Sequence, residues 1–180
     1  TMSAADVAAI HARVAALPVK PLISVVMATY ETPAEPLRRA IASVQAQIYP
    51  HWELCIADDA STAPHVGDIL RAAAAADSRI RLTFRPVNGH IAAAGNSALA
   101  LAAGDYVALL DHDDELAPHA LAMVAAELAD HPDADILYSD EDKLDDQGRR
   151  HDPYFKPDWN PDLFLGQNVF NHLTVYRTAL

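Results

Sequence analysis

Cysteine and long apolar runs are almost absent from this 180-residue chain, and each absence excludes a class of protein. Cys55 is the only cysteine, so neither a disulfide framework nor a cysteine-based zinc site can form, and its apolar surroundings predict a packing role. No apolar run approaches the roughly 20 residues that span a membrane. The first residues also lack the basic-then-apolar pattern of a secretion signal. We therefore expect a cytoplasmic protein without a transmembrane segment, with any peripheral contact to the inner face of the membrane made by parts outside these residues.

Positive charge is scarce as well. The chain has 13 lysines and arginines against 25 aspartates and glutamates, which gives a formal net charge of −12. An acidic surface repels nucleic acid, so we expect no nucleic-acid partner. It would also repel a phosphorylated substrate unless a divalent cation offset the repulsion locally. The length and the hydrophobic fraction of 51% are enough for one domain with a substantial core.

The hydrophobic pattern alternates between strand-like and helix-like segments. It predicts strands at residues 22–28, 52–57, 80–84, 105–110, 135–139 and 173–177. It predicts helices at residues 34–46, 64–76, 91–102 and 118–130, the third of them closed by Gly104. Such alternation is typical of a layered α/β domain with a largely parallel sheet. We expect residues 1–19 to form a helical extension before a domain at 20–180, and residues 151–162 to form an ordered, irregular aromatic loop.

Three polar turns follow the first, second and fourth predicted strands. They lie at residues 29–31, 58–61 and 111–114. Because ligands of parallel α/β sheets bind outside the carboxyl ends of the strands, the three turns predict one shared crevice.

The turn after the fourth strand is the most acidic, with four carboxylates in residues 111–115. Two unit charges about 4 Å apart interact by roughly 4 kcal/mol at an effective dielectric constant near 20, so such a cluster needs a cation or shifted pKa values. Hard oxygen ligands suit Mg²⁺ or Mn²⁺. We expect this cluster to hold such an ion, and Asp114 and Glu115 within it to be acids at the start of the next helix.

Several blocks of the sequence resemble the family 2 glycosyltransferases of bacterial surface-polysaccharide synthesis. The blocks are PLISVVMATY at 21–30, IADDAST at 56–62, NGHIAAAGNSA at 88–98, LLDHDD at 109–114, YSDEDKLD at 138–145 and HDPYFKPDW at 151–159. The resemblance implies a GT-A fold, a three-layer α/β sandwich that binds a nucleotide sugar. It also implies metal-dependent transfer of a sugar, usually with inversion, from a UDP- or dTDP-sugar donor to a saccharide acceptor.

The resemblance also implies roles for single residues. Those implied for the nucleotide sugar are Thr29, Tyr30, Glu31, Asp59, Asn96, Asp111 and His112. Those implied for the Mn²⁺ or Mg²⁺ ion are Asp113, Asp111 and His172, although for His172 we favour a satisfied, partly buried histidine over a ligand. Glu31 stands where the family usually has Asn, Gly95 where an Arg often occurs, and Ala60 where Gly is common.

The catalytic base of an inverting transfer is the residue that the sequence does not supply. We expect it beyond residue 180, in an acceptor-binding part of a longer protein, with Asp142 as a weak candidate within the chain. The acidic run at residues 140–146 fits either a solvated loop or the acceptor side of the crevice. The alternative function is a nucleotide-binding module without turnover, or a receiver-like module phosphorylated on Asp58 or Asp59.

Overall fold

Strands and helices alternate along the chain as the hydrophobic pattern predicts. The computed structural model describes residues 2–145 and 147–180. The strands are β1 Ile23–Thr29, β2 Trp52–Asp58, β3 Ile80–Phe84, β4 Tyr106–Leu109, β5 Ile136–Tyr138, β6 Glu141–Leu144, β7 Arg150–Tyr154 and β8 Thr174–Arg177. The helices are α1 Ala4–Ala16, α2 Ala34–Gln45, α3 Pro64–Ala76, α4 His90–Leu99, α5 Ala120–Asp130 and α6 Pro161–Gly166. Every predicted strand and helix is present within three residues of its expected ends.

The main sheet is mostly parallel, as expected. Its strand order is β3-β2-β1-β4-β8-β5, and β1 to β4 run parallel to one another. Strand β8 is antiparallel to both of its neighbours, β4 and β5. This order places β1 between β2 and β4, so the three strands that precede the polar turns are adjacent.

Helices cover both faces of this sheet, which confirms the three-layer α/β architecture. On one face Ile23, Val25 and Met27 of β1 belong to the main core together with residues of α2, α3 and α5. On the other face Val26 and Cys55 pack in a smaller cluster that includes Ala98 of α4. Both faces of the central strands are therefore dry, which explains their continuous apolar sequences.

Cys55 lies in the interior, as its apolar surroundings predict. Burial raises the pKa of its thiol to about 12, with a smaller contribution from the charge of Glu53. The thiol is therefore held in its unreactive, protonated form.

Helix α1 packs against α5 instead of extending away from the domain. Ser3 and Asp6 form a capping box that fixes its first turn, and Val14 is buried in the main core. An exposed ion pair joins Arg13 to Asp130 at 3.4 Å. The domain boundary at residues 19 and 20 stays a prediction.

The glycine that was expected to close α4 has a different role. The helix ends at Leu99, five residues before Gly104. A Cβ atom on Gly104 would lie 2.6 Å from the Leu22 carbonyl oxygen and 2.6 Å from Ser24 Oγ. Glycine is needed here because the chain passes close against the start of β1.

The segment after β5 differs most from the expectation. The acidic run and the start of the expected aromatic loop form an antiparallel hairpin of β6 and β7, and the short helix α6 follows it. Both strands are short and largely exposed, so their sequences carry no alternating pattern that would reveal them. Asp146, the last residue of the acidic run, lies outside the described residues. In the described parts of the chain, no helix combines the length and the apolar character needed to cross a bilayer.

Candidate active site

A cavity of about 420 Å³ opens at the carboxyl ends of β1, β2 and β4. It is lined by Ala28, Thr29, Tyr30, Asp59, Asn88, His90, Ile91, Ala94, Asp111, His112 and Asp113. The three polar turns thus meet in one crevice, as their positions in the sequence predict. The amino-terminal part of α4 also lines the cavity, through His90, Ile91 and Ala94. None of these three residues was predicted to contact a ligand.

Six of the residues implied for the site line this cavity. They are Thr29, Tyr30, Asp59, Asp111, His112 and Asp113. Three others, Glu31, Asn96 and His172, lie outside the lining.

Glu31 is bound to the loop before α3. Its carboxylate accepts hydrogen bonds from the Thr62 backbone N–H at 2.6 Å, the Thr62 hydroxyl at 2.8 Å and the Ala63 backbone N–H at 3.2 Å. The Thr62 backbone bond is the main reason why the pKa of Glu31 lies below its usual value. The side chain therefore organises the loop, and the structure does not bring it to the cavity.

Asn96 lies on the exposed side of α4. The cavity contacts this helix through His90, Ile91 and Ala94. A position two residues beyond Ala94 is rotated by about 200° around a helix, which takes Asn96 away from the cavity. A local sequence block cannot show this, because the helix face that meets the sheet is decided by packing.

Asp59 joins the end of β2 to the start of α4. Its carboxylate accepts the Gly89 backbone N–H at 3.0 and 3.1 Å and pairs with Arg85 Nε at 2.7 Å. Arg85 also donates to the Ala93 carbonyl and to Ser97 Oγ, both at 2.7 Å. Arg85 was not among the residues predicted for the site, because no local pattern marks it.

Its neighbour Asp58 is occupied within its own turn. It is buried and accepts hydrogen bonds from the Ser61 backbone N–H at 3.1 Å and from the Ser61 hydroxyl at 2.5 Å. A phosphate-accepting aspartate needs free carboxylate oxygens, so these bonds disfavour the receiver-like alternative.

A second group of side chains surrounds Asp111. Ligand atoms of Asp111, Asp114 and His172 all lie within 4.8 Å of one another. His172 Nε2 is 3.1 Å from Asp111 Oδ2 and 3.4 Å from Asp114 Oδ2. The structure therefore brings His172 beside Asp111 and adds Asp114 to the group. Asp113 is 62% exposed and faces the cavity instead.

The expectation that Asp114 and Glu115 start a helix is wrong. Helix α5 begins at Ala120, and the intervening residues form turns and loop. Asp114 turns inward, and its burial together with the charges of Asp111 and Asp113 raises its pKa, although His172 opposes the shift. Glu115 pairs with Arg39 of α2 at 2.9 Å. The first of these acids is thus part of the site and the second holds the loop against α2.

The acids after β5 divide between the two sides of the hairpin. Glu141 Oε2 is 3.5 Å from His172 Nδ1 and accepts the His172 backbone N–H. Asp142 pairs with Arg150 of β7 at 2.5 Å. Asp142 is thus paired within the hairpin, whose register is irregular between Glu141 and Lys143, whereas Glu141 joins the cluster around His172.

The charges of the cluster also affect His172. Burial lowers its pKa, but the hydrogen bond to Asp111 and the charges of Asp114, Asp111 and Glu141 raise it by more, so the net shift is upward. The site is an acidic group with one imidazole, a donor set that suits a divalent cation.

Fold and site together define an α/β domain with a polar cavity at the carboxyl edge of a parallel sheet, the edge at which enzymes of this architecture bind their ligands. Residues 24–179 match the family model "Glycosyl transferase family 2", and the chain belongs to this family of glycosyltransferases. The chain is 45% identical over 173 residues to the O-antigen biosynthesis protein RfbC of Myxococcus xanthus, covering 96% of this chain and 14% of RfbC.

Solved structures of glycosyltransferases share the GT-A fold of this domain. TarS 1-349 of S. aureus in complex with UDP-GlcNAc superposes with a TM-score of 0.69 at 23% identity, covering 87% of this chain and 45% of that one. The mannosyltransferase PcManGT of Pyrobaculum calidifontis in complex with GDP-Man and Mn²⁺ gives a TM-score of 0.65 at 21% identity, covering 89% and 45%. The chain thus spans less than half of each of these structures and about a seventh of RfbC.

Proposed function

We propose that this domain binds a nucleoside-diphosphate sugar in the cavity and serves its transfer to a saccharide acceptor in surface-polysaccharide synthesis. The observation that carries the proposal is the meeting of Thr29, Asp59 and Asp111, from three strand ends, on one cavity in a chain of this family. The relation to RfbC, which is named for O-antigen biosynthesis, supports the polysaccharide part.

The nucleoside is proposed to lie between β1, β2 and α4. Tyr30 offers a half-exposed ring that can stack on a base, and Asp59 offers carboxylate oxygens that can accept a base N–H. His112 lines the same space. A uridine or deoxythymidine diphosphate donor is proposed, and the TarS complex with UDP-GlcNAc supports the former.

The diphosphate is proposed to lie over the acidic end of β4, where a divalent cation is required to offset the charge. Asp111 and Asp113 would hold Mn²⁺ or Mg²⁺ from the cavity side, and Asp114 and His172 from the other. The donor set fits, because carboxylate oxygens and one imidazole are ligands that both ions accept. A cation bound there would stabilise the negative charge that develops on the leaving diphosphate. The Mn²⁺ in the PcManGT complex supports this assignment.

The transfer is proposed to invert the configuration of the sugar, which requires a base to take the acceptor proton. We assign no base among the described residues. The ion pair with Arg150 disfavours Asp142.

Isothermal titration of the chain with UDP, dTDP and GDP, each with MnCl₂ and with EDTA, tests the proposal. We expect UDP or dTDP to bind in the presence of Mn²⁺ and to bind at least tenfold more weakly in EDTA. Asp111→Asn should weaken this metal dependence, whereas Asp68→Asn on the exposed side of α3 should preserve it. Absence of metal-dependent binding for all three nucleotides would reject the proposal, and an acid-labile acetyl phosphate adduct on Asp58 or Asp59 would favour a receiver.

A further inference from the structure

Lys156 is a buried lysine in a segment whose neighbours are exposed. Its side chain is 1% exposed, whereas Phe155 beside it is largely in solvent. An ammonium removed from water is costly unless all three of its N–H groups find acceptors. The acceptors that compensate this cost therefore indicate what the buried ammonium does.

The partners of Lys156 Nζ all lie around His172. The ammonium donates to the Asn171 carbonyl, to the His172 carbonyl at 3.1 Å and to Glu141 Oε2 at 3.2 Å. Three donors thus meet three acceptors. The Lys156 backbone N–H donates to Asp140 Oδ1 at 2.8 Å, which ties the lysine to the turn before β6.

Glu141 completes the arrangement from the other side. The oxygen that accepts from Lys156 also accepts the His172 backbone N–H. The backbone of His172 is therefore held at its N–H by Glu141 and at its carbonyl by Lys156. With both groups fixed, the imidazole is directed at Asp111 and Asp114, 3.1 and 3.4 Å away.

We propose that Lys156 is a positioning residue for the cation site: through Glu141 and the backbone carbonyls of Asn171 and His172, it fixes the imidazole of His172 as a ligand opposite Asp111. The inference rests on the cation site of the proposed function and deepens it. Lys156 touches neither the cation nor the nucleotide in this arrangement, and it acts through the ligand that it orients. Partners that orient metal ligands affect metal affinity by about 10- to 100-fold.

Charge alone predicts the opposite effect, and this makes the proposal testable. Removing a positive charge near a cation site leaves the site more negative, so Lys156→Met should bind Mn²⁺ more tightly if Lys156 acted only by its charge. If Lys156 positions His172, the same substitution should weaken binding. The sign of the change therefore separates the two roles.

The experiment is a Mn²⁺ titration of the purified chain, followed by electron paramagnetic resonance of the free ion and by paramagnetic broadening of the His172 ring signals. Lys156→Met is expected to weaken Mn²⁺ binding about tenfold and to reduce broadening of His172 at equal occupancy. The matched control is Lys143→Met, because Lys143 is 71% exposed and, among the described residues, its ion pair is a 3.8 Å contact with Asp152 on the hairpin. It should change affinity by less than about twofold.

Equal or tighter Mn²⁺ binding by folded Lys156→Met, with unchanged broadening, overturns the proposal. If the variant does not fold, the wild-type chain decides, since Mg²⁺ titration should shift the Lys156 ammonium and the His172 ring nitrogens along one binding curve. A Lys156 signal that does not respond would overturn it. Wild-type protein that binds neither ion would reject the cation site of the proposed function itself, a result seen before any variant is compared.

Discussion

The two ends of the central sheet both enclose carboxylates, but they treat the charge in opposite ways. At the amino end Glu53 is 8% exposed and accepts hydrogen bonds from Ser24 Oγ at 2.7 Å, the Ala103 N–H at 2.6 Å and Arg81 at 3.4 Å. Burial raises the pKa of Glu53, but these donors outweigh it and hold the pKa below its usual value.

At the carboxyl end, the carboxylates around Asp114 outnumber the hydrogen-bond donors and positive charges near them. Burial and the charges of Asp111, Asp113 and Glu141 hold the pKa of Asp114 above its usual value against the influence of His172. A carboxylate whose donors are built into the fold stabilises the fold. Where carboxylates outnumber the donors that the fold provides, we expect a bound cation to balance the remaining negative charge.

The largest expected effect comes from removing Glu53, the carboxylate at the amino end whose donors are built into the fold. Glu53→Ala leaves the buried Ser24 hydroxyl and the Ala103 N–H without this acceptor and removes the ion pair with Arg81, which should lower the free energy of unfolding by about 3 kcal/mol. Urea denaturation followed by circular dichroism measures this loss. The control Asp68→Ala removes an exposed carboxylate and should change stability by less than about 0.5 kcal/mol. A similar loss in both variants would contradict the special role of Glu53.

The same residue predicts a pH dependence. Because the pKa of Glu53 is lowered by folding, its stabilisation is present above the ordinary carboxyl value of 4.5 and is lost as the pH falls through the lower folded value. Glu53→Gln lacks this ionisation. The stability difference between wild type and Glu53→Gln should therefore be constant near neutral pH and shrink below pH 4.5, and a difference that grows on acidification would contradict it.

The next largest effect is expected on cation affinity at the carboxyl end of the sheet. Asp111→Asn removes the carboxylate that both the cavity and the His172 group share, so Mn²⁺ affinity should fall about 30-fold, equivalent to about 2 kcal/mol. Calorimetric titration with MnCl₂ measures it. Asp113→Asn and Asp114→Asn separate the two sides of the site, since each should weaken binding by less. Unchanged affinity in Asp111→Asn would remove the carboxylate cluster from the proposed cation site.

The two ends should also respond with opposite signs when only stability is measured. Asp114→Asn removes one of several like charges, so the metal-free protein should gain about 0.5 kcal/mol, a small value because solvent screens the half-exposed carboxylate. The gain should vanish in about 1 M salt, where charges are screened within about 3 Å. A loss of stability would instead show that the Asp114 carboxylate, like that of Glu53, stabilises the fold.

The comparison also separates what the sequence could predict from what it could not. Strands such as β1 and β2 are visible because burial on both faces gives a continuous apolar run, and the polar turns at their ends point to the cavity. Asp59 and Asp111 were found in this way. A strand and the polar turn that follows it together span only about ten residues, so the sequence pattern alone reveals them.

The remaining part of the site depends on contacts between distant residues. His172 lies 61 positions after Asp111, and the burial of Lys156 exists only once the segment has folded against it. The assignment of Asp114 to a helix start failed for the same reason, because the loop before α5 is shaped by contacts of Glu115 and Leu116 with α2. The only local signal for Lys156 is a lone lysine among prolines and aromatic residues, in a block that the family resemblance includes.

The smallest expected effect concerns the backbone at the carboxyl end. Glu31 and Ala60, in the loops after β1 and β2, and His90, at the first residue of α4, have positive φ angles. Ala60, at φ 64°, carries a left-handed strain of roughly 1–2 kcal/mol that glycine would relieve, against about 0.4–1 kcal/mol of added freedom in the unfolded chain. Ala60→Gly should therefore stabilise the protein by about 0.5 kcal/mol in urea denaturation. The control Ala100→Gly, at φ −63°, relieves no strain and should destabilise it by about 0.5 kcal/mol. Equal losses in both variants would show that the loop after β2 stores no strain, and that the two ends of the sheet differ in charge alone.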